Sequence, residues 1–191
     1  MSYATLAEFK AWKRIDSTDT TDDTVIQQCL DGATSYIEGA TGRKFIASAS
    51  TARLFDIPAG RTLNLDDDLL TLTSVKNGDG TAIPNVEFVT SPRTLTPFYA
   101  LTLKSSSTYY WLFDDDGNSA GVITVTGTWG YSSAAPADVK AACLSIAANV
   151  YGRRFGEGQQ VATVTGAGVV ITPNDVDGVS QKVIDSHMRL Y

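Results

Sequence analysis

The densest oxygen donors in the chain are Asp66-Asp67-Asp68 and Asp114-Asp115-Asp116-Gly117-Asn118, and carboxylate oxygens are what a hard cation such as calcium takes. The spacing argues against a helix-loop-helix calcium site. With Gly117 in the sixth place, the first falls on Leu112 and the twelfth on Ile123, neither of which carries an oxygen side chain. Polar turns between strands account for these aspartates more simply. His187 is the only histidine, which rules out a two-histidine metal site and leaves a Cys-His or Ser-His pairing no second candidate. It is read as structural or solvent-facing. Thr165-Gly166-Ala167-Gly168 lacks both the Lys-Ser/Thr ending and the following helix of a phosphate-binding loop. Those glycines fit a tight hairpin turn between arms at Val161–Val164 and Val169–Thr172. Cys29 and Cys143 each fall on the apolar face of a predicted helix, far from any metal-ligand spacing, and are expected to be inert core thiols. No catalytic residue, metal ligand or cofactor contact is therefore expected, and an enzyme is not.

The elements that carry these residues are of two kinds. Thr5 and Glu8 have the spacing of a capping box, opening a short helix with Leu6, Phe9 and Trp12 as its apolar stripe. Thr20-Thr21-Asp22-Asp23 supplies N-cap candidates and favourable negative charge for a second helix with Ile26, Cys29, Leu30, Ala33, Ile37 and Ala40 along one face, closed by Gly42. Pro136 suits the first turn of a third, in which Val139, Ala142, Cys143, Ile146, Ala147, Val150 and Tyr151 recur at helical spacing, ending at Gly152 or Gly156. A fourth starts near Asp175 or Asp177 and runs to the C-terminus through Val179, Val183, Ile184, Met188 and Leu190.

Between Ile46 and Tyr131 the pattern changes to short Thr-, Val-, Leu- and aromatic-rich runs, separated by turn signals such as Pro58-Ala59-Gly60, Asn77-Gly78-Asp79-Gly80 and Asp116-Gly117-Asn118. Strands are expected near 51–56, 62–65, 71–76, 85–89, 99–103, 109–113 and 121–129. The fold class is thus α+β. A small bundle of about four helices, from residues 1–45 and 132–191, is interrupted by a β-rich sandwich- or barrel-like insertion over 46–131.

At 191 residues and 43% hydrophobic content, the chain can bury one sizeable core or two small ones without disulfides. Its net charge is −6, and the acidity sits chiefly in the insertion, where 46–131 hold five basic and nine acidic side chains. Clustered Lys and Arg are needed to displace counterions from a phosphate backbone, so tight nucleic-acid binding is disfavoured. No basic segment followed by an apolar stretch opens the chain and no run approaches a membrane span, so a cytosolic, reducing origin is expected.

The segment Thr5 to Phe45, with its capped short helix, its Asp22-Asp23 opening, and Tyr36-Ile37-Glu38 leading to Thr41-Gly42-Arg43-Lys44-Phe45, resembles the start of the phage head-tail connector (head-completion adaptor) family. The return through Trp129-Gly130-Tyr131, Pro136, Val139-Lys140-Ala141-Ala142 and Tyr151-Gly152-Arg153-Arg154 is similar to that family too. The long β-rich middle looks like the larger adaptors of long-tailed phages, prophages and gene-transfer particles. The resemblance implies a structural protein of the virion neck, assembled in the host bacterial cytoplasm. It implies a dodecameric ring docked beneath the portal, through which genomic DNA passes without sequence-specific binding and onto which stopper or tail-completion proteins assemble. It implies no catalytic residue, and no membrane contact. A rival reading is a soluble ligand- or carbohydrate-binding β module presenting Trp111, Trp129, Tyr99, Tyr109 and Tyr110. A third is a metal-dependent enzyme built on the two Asp triplets.

Two sets of residues are expected at contacts, one for close helix packing and one at the subunit or portal interface. Gly32 and Gly39 lie seven apart on one side of the second helix, where glycine costs about 1 kcal/mol against alanine. Close packing of the Ala-rich third helix, or of an adjacent subunit, is the expected return. Val161, Val164, Val169, Val170 and Ile171 form β-branched arms without other strand partners nearby, and are expected to pair with a neighbouring subunit or the portal.

Overall fold

The computed structural model describes residues 2–153, 164–165, 168–169 and 176–189. The chain forms two compact units, residues 1–43 with 135–191, and residues 44–134.

The first unit is helical. Helix α1 (Leu6–Lys13) opens on the expected capping box: the Glu8 amide donates to Thr5 Oγ1 at 3.2 Å and the Thr5 amide to Glu8 Oε2 at 2.8 Å. Arg14, in the left-handed region at φ 58°, ends it. Helix α2 (Asp23–Thr41) has Asp22 at its N-cap, but that side chain makes no capping bond and instead accepts the Tyr151 hydroxyl at 2.7 Å. Gly42, at φ 65°, closes α2 by donating its amide to Glu38 O at 2.9 Å. Helix α3 (Ala137–Arg153) begins after Pro136, whose carbonyl accepts the Lys140 amide at 2.9 Å. It runs through Gly152, and Gly156 lies outside the described residues. Helix α4 (Gly178–His187) stops short of the predicted run to the C-terminus; Met188 has left helical geometry. Phe9, Ile26, Leu30, Ile37, Val139, Ile146, Ala147 and Ile184 are buried among these helices. Cys29 and Cys143 are buried free thiols, and Cys143 Sγ lies 3.6 Å from Thr34 Oγ1 and 3.8 Å from Leu30 O.

The second unit is one six-stranded antiparallel sheet of order β1-β6-β2-β5-β4, with β3 also on β2. Its strands are β1 (Thr51–Phe55), β2 (Thr62–Lys76), β3 (Ala82–Ile83), β4 (Phe88–Ser91), β5 (Phe98–Leu103) and β6 (Ile123–Trp129), with a 3₁₀ turn at Asn85–Glu87. The long β2 changes partner along its length, pairing with β5 through Thr62–Leu69 and with β6 through Leu69–Lys76. Asp66-Asp67-Asp68 sits at that change, so the predicted turn between two strands is instead a bulged stretch within one. The charge is met from one strand beyond the neighbour: Arg53 of β1, which β6 separates from β2, donates to Asp66 at 3.2 Å and to Asp67 at 3.0 Å, so these two acids are paired within an extended strand. Gly127 of β6 crosses β2 beside the bulge, where a Cβ would lie 2.2 Å from Thr71 O and 2.6 Å from Leu69 Cδ1. Only glycine admits that approach. Alternate residues of β6, Ile123, Val125 and Trp129, point into a core shared with Leu63, Leu69, Leu101 and Leu103.

Residues 109–113, predicted as a strand, are irregular. Their backbone groups are taken by a side chain rather than a ladder: buried Asn77 donates Nδ2 to Tyr110 O at 2.7 Å and accepts the Leu112 amide on Oδ1 at 2.9 Å. The unit starts at Lys44 because residues 44–47 bond to 129–132: Tyr131 N to Lys44 O at 2.8 Å, Ala47 N to Ser132 O at 2.8 Å, and the Phe45 and Tyr131 rings 5.4 Å apart.

Candidate assembly surfaces

The residues that could have done chemistry are occupied in holding loops and helix ends. Asp114 accepts the amides of Asn118 at 2.7 Å and Asp116 at 3.0 Å and the Asn118 amide side chain at 2.9 Å. Hydrogen bonding, the Asn118 side chain first, holds its carboxyl below the ordinary value. Among the described residues no three His, Cys, Asp or Glu side chains are grouped to hold a metal ion, and no helix is long and apolar enough to cross a membrane. His187 Nε2 lies 2.8 Å from Asp138 Oδ2. Partial burial works to raise the Asp138 carboxyl, but the bond to His187, the Val139 amide and the imidazole charge together hold it below its usual value.

Asp177 is the most strongly anchored acid. It caps α4 by accepting the Val179 and Ser180 amides at 2.9 Å each, and it takes hydroxyl bonds from Ser180 and from Ser145 of α3. The Ser180 bond leads the effects that bring its pKa down to about 2, against burial. Beside it, Trp12, Ala141, Ala142, Val179 and Val183 line a shallow apolar groove of about 340 Å³ on the helical unit. Trp12 is 54% exposed. A place in the apolar stripe with Leu6 and Phe9 predicts a buried side chain, but α1 turns only Phe9 and Lys10 fully inward, the Lys10 ammonium bonding to Asp19 O and Asp23.

Gly39 is exposed, and a Cβ there would meet nothing within 4 Å, so among the described residues no helix packs closely against it. Gly32 is half-buried. Val164 pairs with Val169 in the backbone register of a two-residue ladder, β7 (Val164–Thr165) with β8 (Gly168–Val169), a two-stranded sheet among the described residues. Val161, Val170 and Ile171 lie outside the described residues.

The aromatic residues of the rival reading are not brought to one face. Trp129 is buried, stacked 5.9 Å from Phe55, with Nε1 donating to Thr51 O at 3.0 Å. Trp111 turns inward to stack on Phe88 at 5.9 Å, and Tyr109 packs against the same core. Only Tyr99 and Tyr110 are exposed, so the carbohydrate-binding module is not favoured. Beside Tyr110, Leu112 and Phe113 are exposed as well. Sequence reading missed this loop; the signal was an unbroken apolar run, Tyr109 to Phe113, without the alternation of a half-buried strand.

Comparison with known proteins agrees with this geometry. A family model described as "Phage gp6-like head-tail connector protein" matches residues 3–73. No curated protein matches the chain. A chain of the solved structure "Neck of empty GTA particle computed with C6 symmetry" is 16% identical, with a TM-score of 0.61 over 99% of this chain and 91% of that one. A chain of "Virion of native gene transfer agent (GTA) particle" is 18% identical, with a TM-score of 0.60 over the same shares. One of "Neck of native GTA particle computed with C12 symmetry" is 16% identical, at 0.57 over 97% and 88%. The resemblance seen from Thr5 to Phe45 is thus borne out: the N-terminal part of the chain matches the head-tail connector family, and its fold is shared almost end to end with chains of gene-transfer-agent particles.

Proposed function

We propose that this chain is a structural protein of the virion neck, a head-tail connector that assembles with copies of itself into a ring. The observation that carries this is the connector-family match over residues 3–73, joined to a fold shared over 99% of the chain with a chain of a neck particle. The ring is dodecameric and docks beneath the portal, and stopper or tail-completion proteins assemble on it after it forms in the host bacterial cytoplasm. Genomic DNA passes through without sequence-specific contact, which suits a chain of net charge −6. The role is not enzymatic, a reading supported by acids engaged in structure: Asp114 accepts amides of its own turn, and Asp177 caps α4 and takes the Ser145 hydroxyl of α3.

Val161, Val164, Val169, Val170 and Ile171 are the arms through which a subunit adds strand structure to its neighbour or the portal. A two-stranded hairpin is marginal alone, and β7 pairs only with β8 among the described residues. The open face at Gly39, with Gly32, receives a neighbouring copy. Electron microscopy of the purified full chain, alone and with its portal, tests the reading. Twelve-fold rings on the portal are expected; a monomer that leaves the portal bare overturns it. Replacing Val170 and Ile171 with serine should weaken that association and leave the monomer's melting temperature nearly unchanged.

A further inference from the structure

We propose that Tyr110–Phe113 is a preorganised docking loop for a protein partner whose contact surface is apolar and rimmed with Lys and Arg. This goes beyond the neck reading, because it stands on the loop's own geometry whether or not the chain forms rings.

The loop is held from beneath. Asn77 clamps it at Tyr110 O and the Leu112 amide, and Trp111 is fixed between them by its stack on Phe88 and a 3.3 Å bond from Nε1 to Arg61 O. Gly78 forms the other wall: a Cβ there would stand 2.3 Å from Leu112 O, so the Asn77–Thr81 turn is seated directly against the loop. A backbone so fixed loses little freedom on binding. Yet the side chains it presents are apolar and open: Tyr110 is 61% exposed, Leu112 44% and Phe113 55%. Arg61 covers one ring face of Tyr110 at 5.0 Å. Adjacent large apolar groups on a rigid, solvated loop mark an interaction site more than they mark chance exposure.

The rim selects the partner. Against the one guanidinium of Arg61 on Tyr110, three carboxylates are exposed around the loop: Asp115 and Asp116 shortly after Phe113, and Asp79 on the turn seated against Leu112. Like charge would repel phosphate backbones and anionic lipid, and opposite charge would favour a basic protein surface. A second copy of this chain is a poor counterpart, since residues 44–134 carry six basic and nine acidic side chains and the remainder nine and twelve.

The test uses the full chain and two fluorescent amphipathic peptides of the same apolar content, one of Leu and Lys, the other of Leu and Glu, followed by anisotropy. The Lys peptide should bind about tenfold or more tightly than the Glu peptide. Leu112→Ser with Phe113→Ser leaves the charge intact and should weaken that binding about tenfold. Asp115→Asn with Asp116→Asn should weaken it several-fold and flatten its salt dependence. Equal binding by the Leu112/Phe113 variant, or failure of the Lys peptide to bind, overturns the proposal. So does loop-dependent self-association in sedimentation, which would make a second copy the occupant. Portal-bound rings imaged with the same variants report separately on the neck reading.

Discussion

The helical unit and the β unit satisfy their polar groups in opposite ways. In the helical unit, side chains bond across long stretches of sequence: Tyr3 to Glu38, Lys10 to Asp23, Tyr151 to Asp22, Lys140 to Glu8, Ser145 to Asp177. In the β unit they mostly serve loop backbone rather than other side chains, whether close or far in sequence: Asn77 on Tyr110 and Leu112, Asp114 on Asn118, Asp56 accepting the Gly121 amide at 2.7 Å. The difference follows from where backbone bonds go. A helix closes its own ladder, so nothing but side chains fixes how one helix lies on the next. A sheet fixes its neighbours through the ladder itself, and side chains are left to settle the orphan groups of loops. The free surfaces differ accordingly: a shallow groove between helices in one unit, a clamped apolar loop in the other.

The strongest way to break this comparison is to damage one core alone. Trp129→Ala removes a buried indole that stacks on Phe55 and carries Arg53 at 4.3 Å over its ring, and should cost the β unit about 3–5 kcal/mol. If the two cores are separate cooperative units, helical circular dichroism should melt at an unchanged temperature while near-ultraviolet signal from the sheet melts earlier. A common downward shift of both signals would mean one cooperative core.

A smaller effect tests the loop clamp. Asn77→Ala leaves the Leu112 amide and Tyr110 carbonyl without their partner and should cost about 1–3 kcal/mol. Amide exchange should accelerate at 109–113 while β6 stays protected. Uniform acceleration across the sheet would show that Asn77 supports the fold rather than the loop.

Next in size is the α4 cap. Asp177→Ala should cost about 1 kcal/mol. The folded pKa of about 2 lies below the ordinary 3.8, so the contribution is present above that ordinary value and fades as pH falls towards 2. Asp177→Asn keeps a capping oxygen without the charge. The stability gap between it and the parent should therefore close across that acid window, measured by urea melts; a gap constant with pH would exclude the charge as its source.

How well each unit could be read from sequence follows the same division. Helix caps are written locally, and Thr5, Glu8, Gly42 and Asp177 act where their spacing places them. The β errors at Asp66–Asp68 and at Tyr109–Phe113 both depended on a distant partner, Arg53 in one case and Asn77 in the other. No local pattern marks either pairing. Trp12 failed differently: period alone places it inward, but a short helix buries a narrow stripe and its last turn emerges into the groove. Of the glycines expected to pack closely, Gly39 meets no neighbour among the described residues, which no propensity argument foretells.

The smallest expected effect separates two tasks of one carboxylate. Glu8 Oε2 accepts the Thr5 amide within α1, while Oε1 takes the Lys140 ammonium of α3 at 2.8 Å. The Lys140 bond comes first among the causes that lower the Glu8 pKa, yet both side chains are 39% exposed. Solvent and salt therefore screen the pair, and a double-mutant cycle with Glu8→Gln and Lys140→Met should return a coupling of only about 0.2–1 kcal/mol. High salt should remove most of it. Glu8→Gln keeps an acceptor for the Thr5 amide, so the cycle leaves the capping box standing and reads the interhelical pair alone. A salt-insensitive coupling well above that range would mean that the α1–α3 contact is desolvated, and that the long-range polar pairs of the helical unit specify its packing more strongly than their exposure implies.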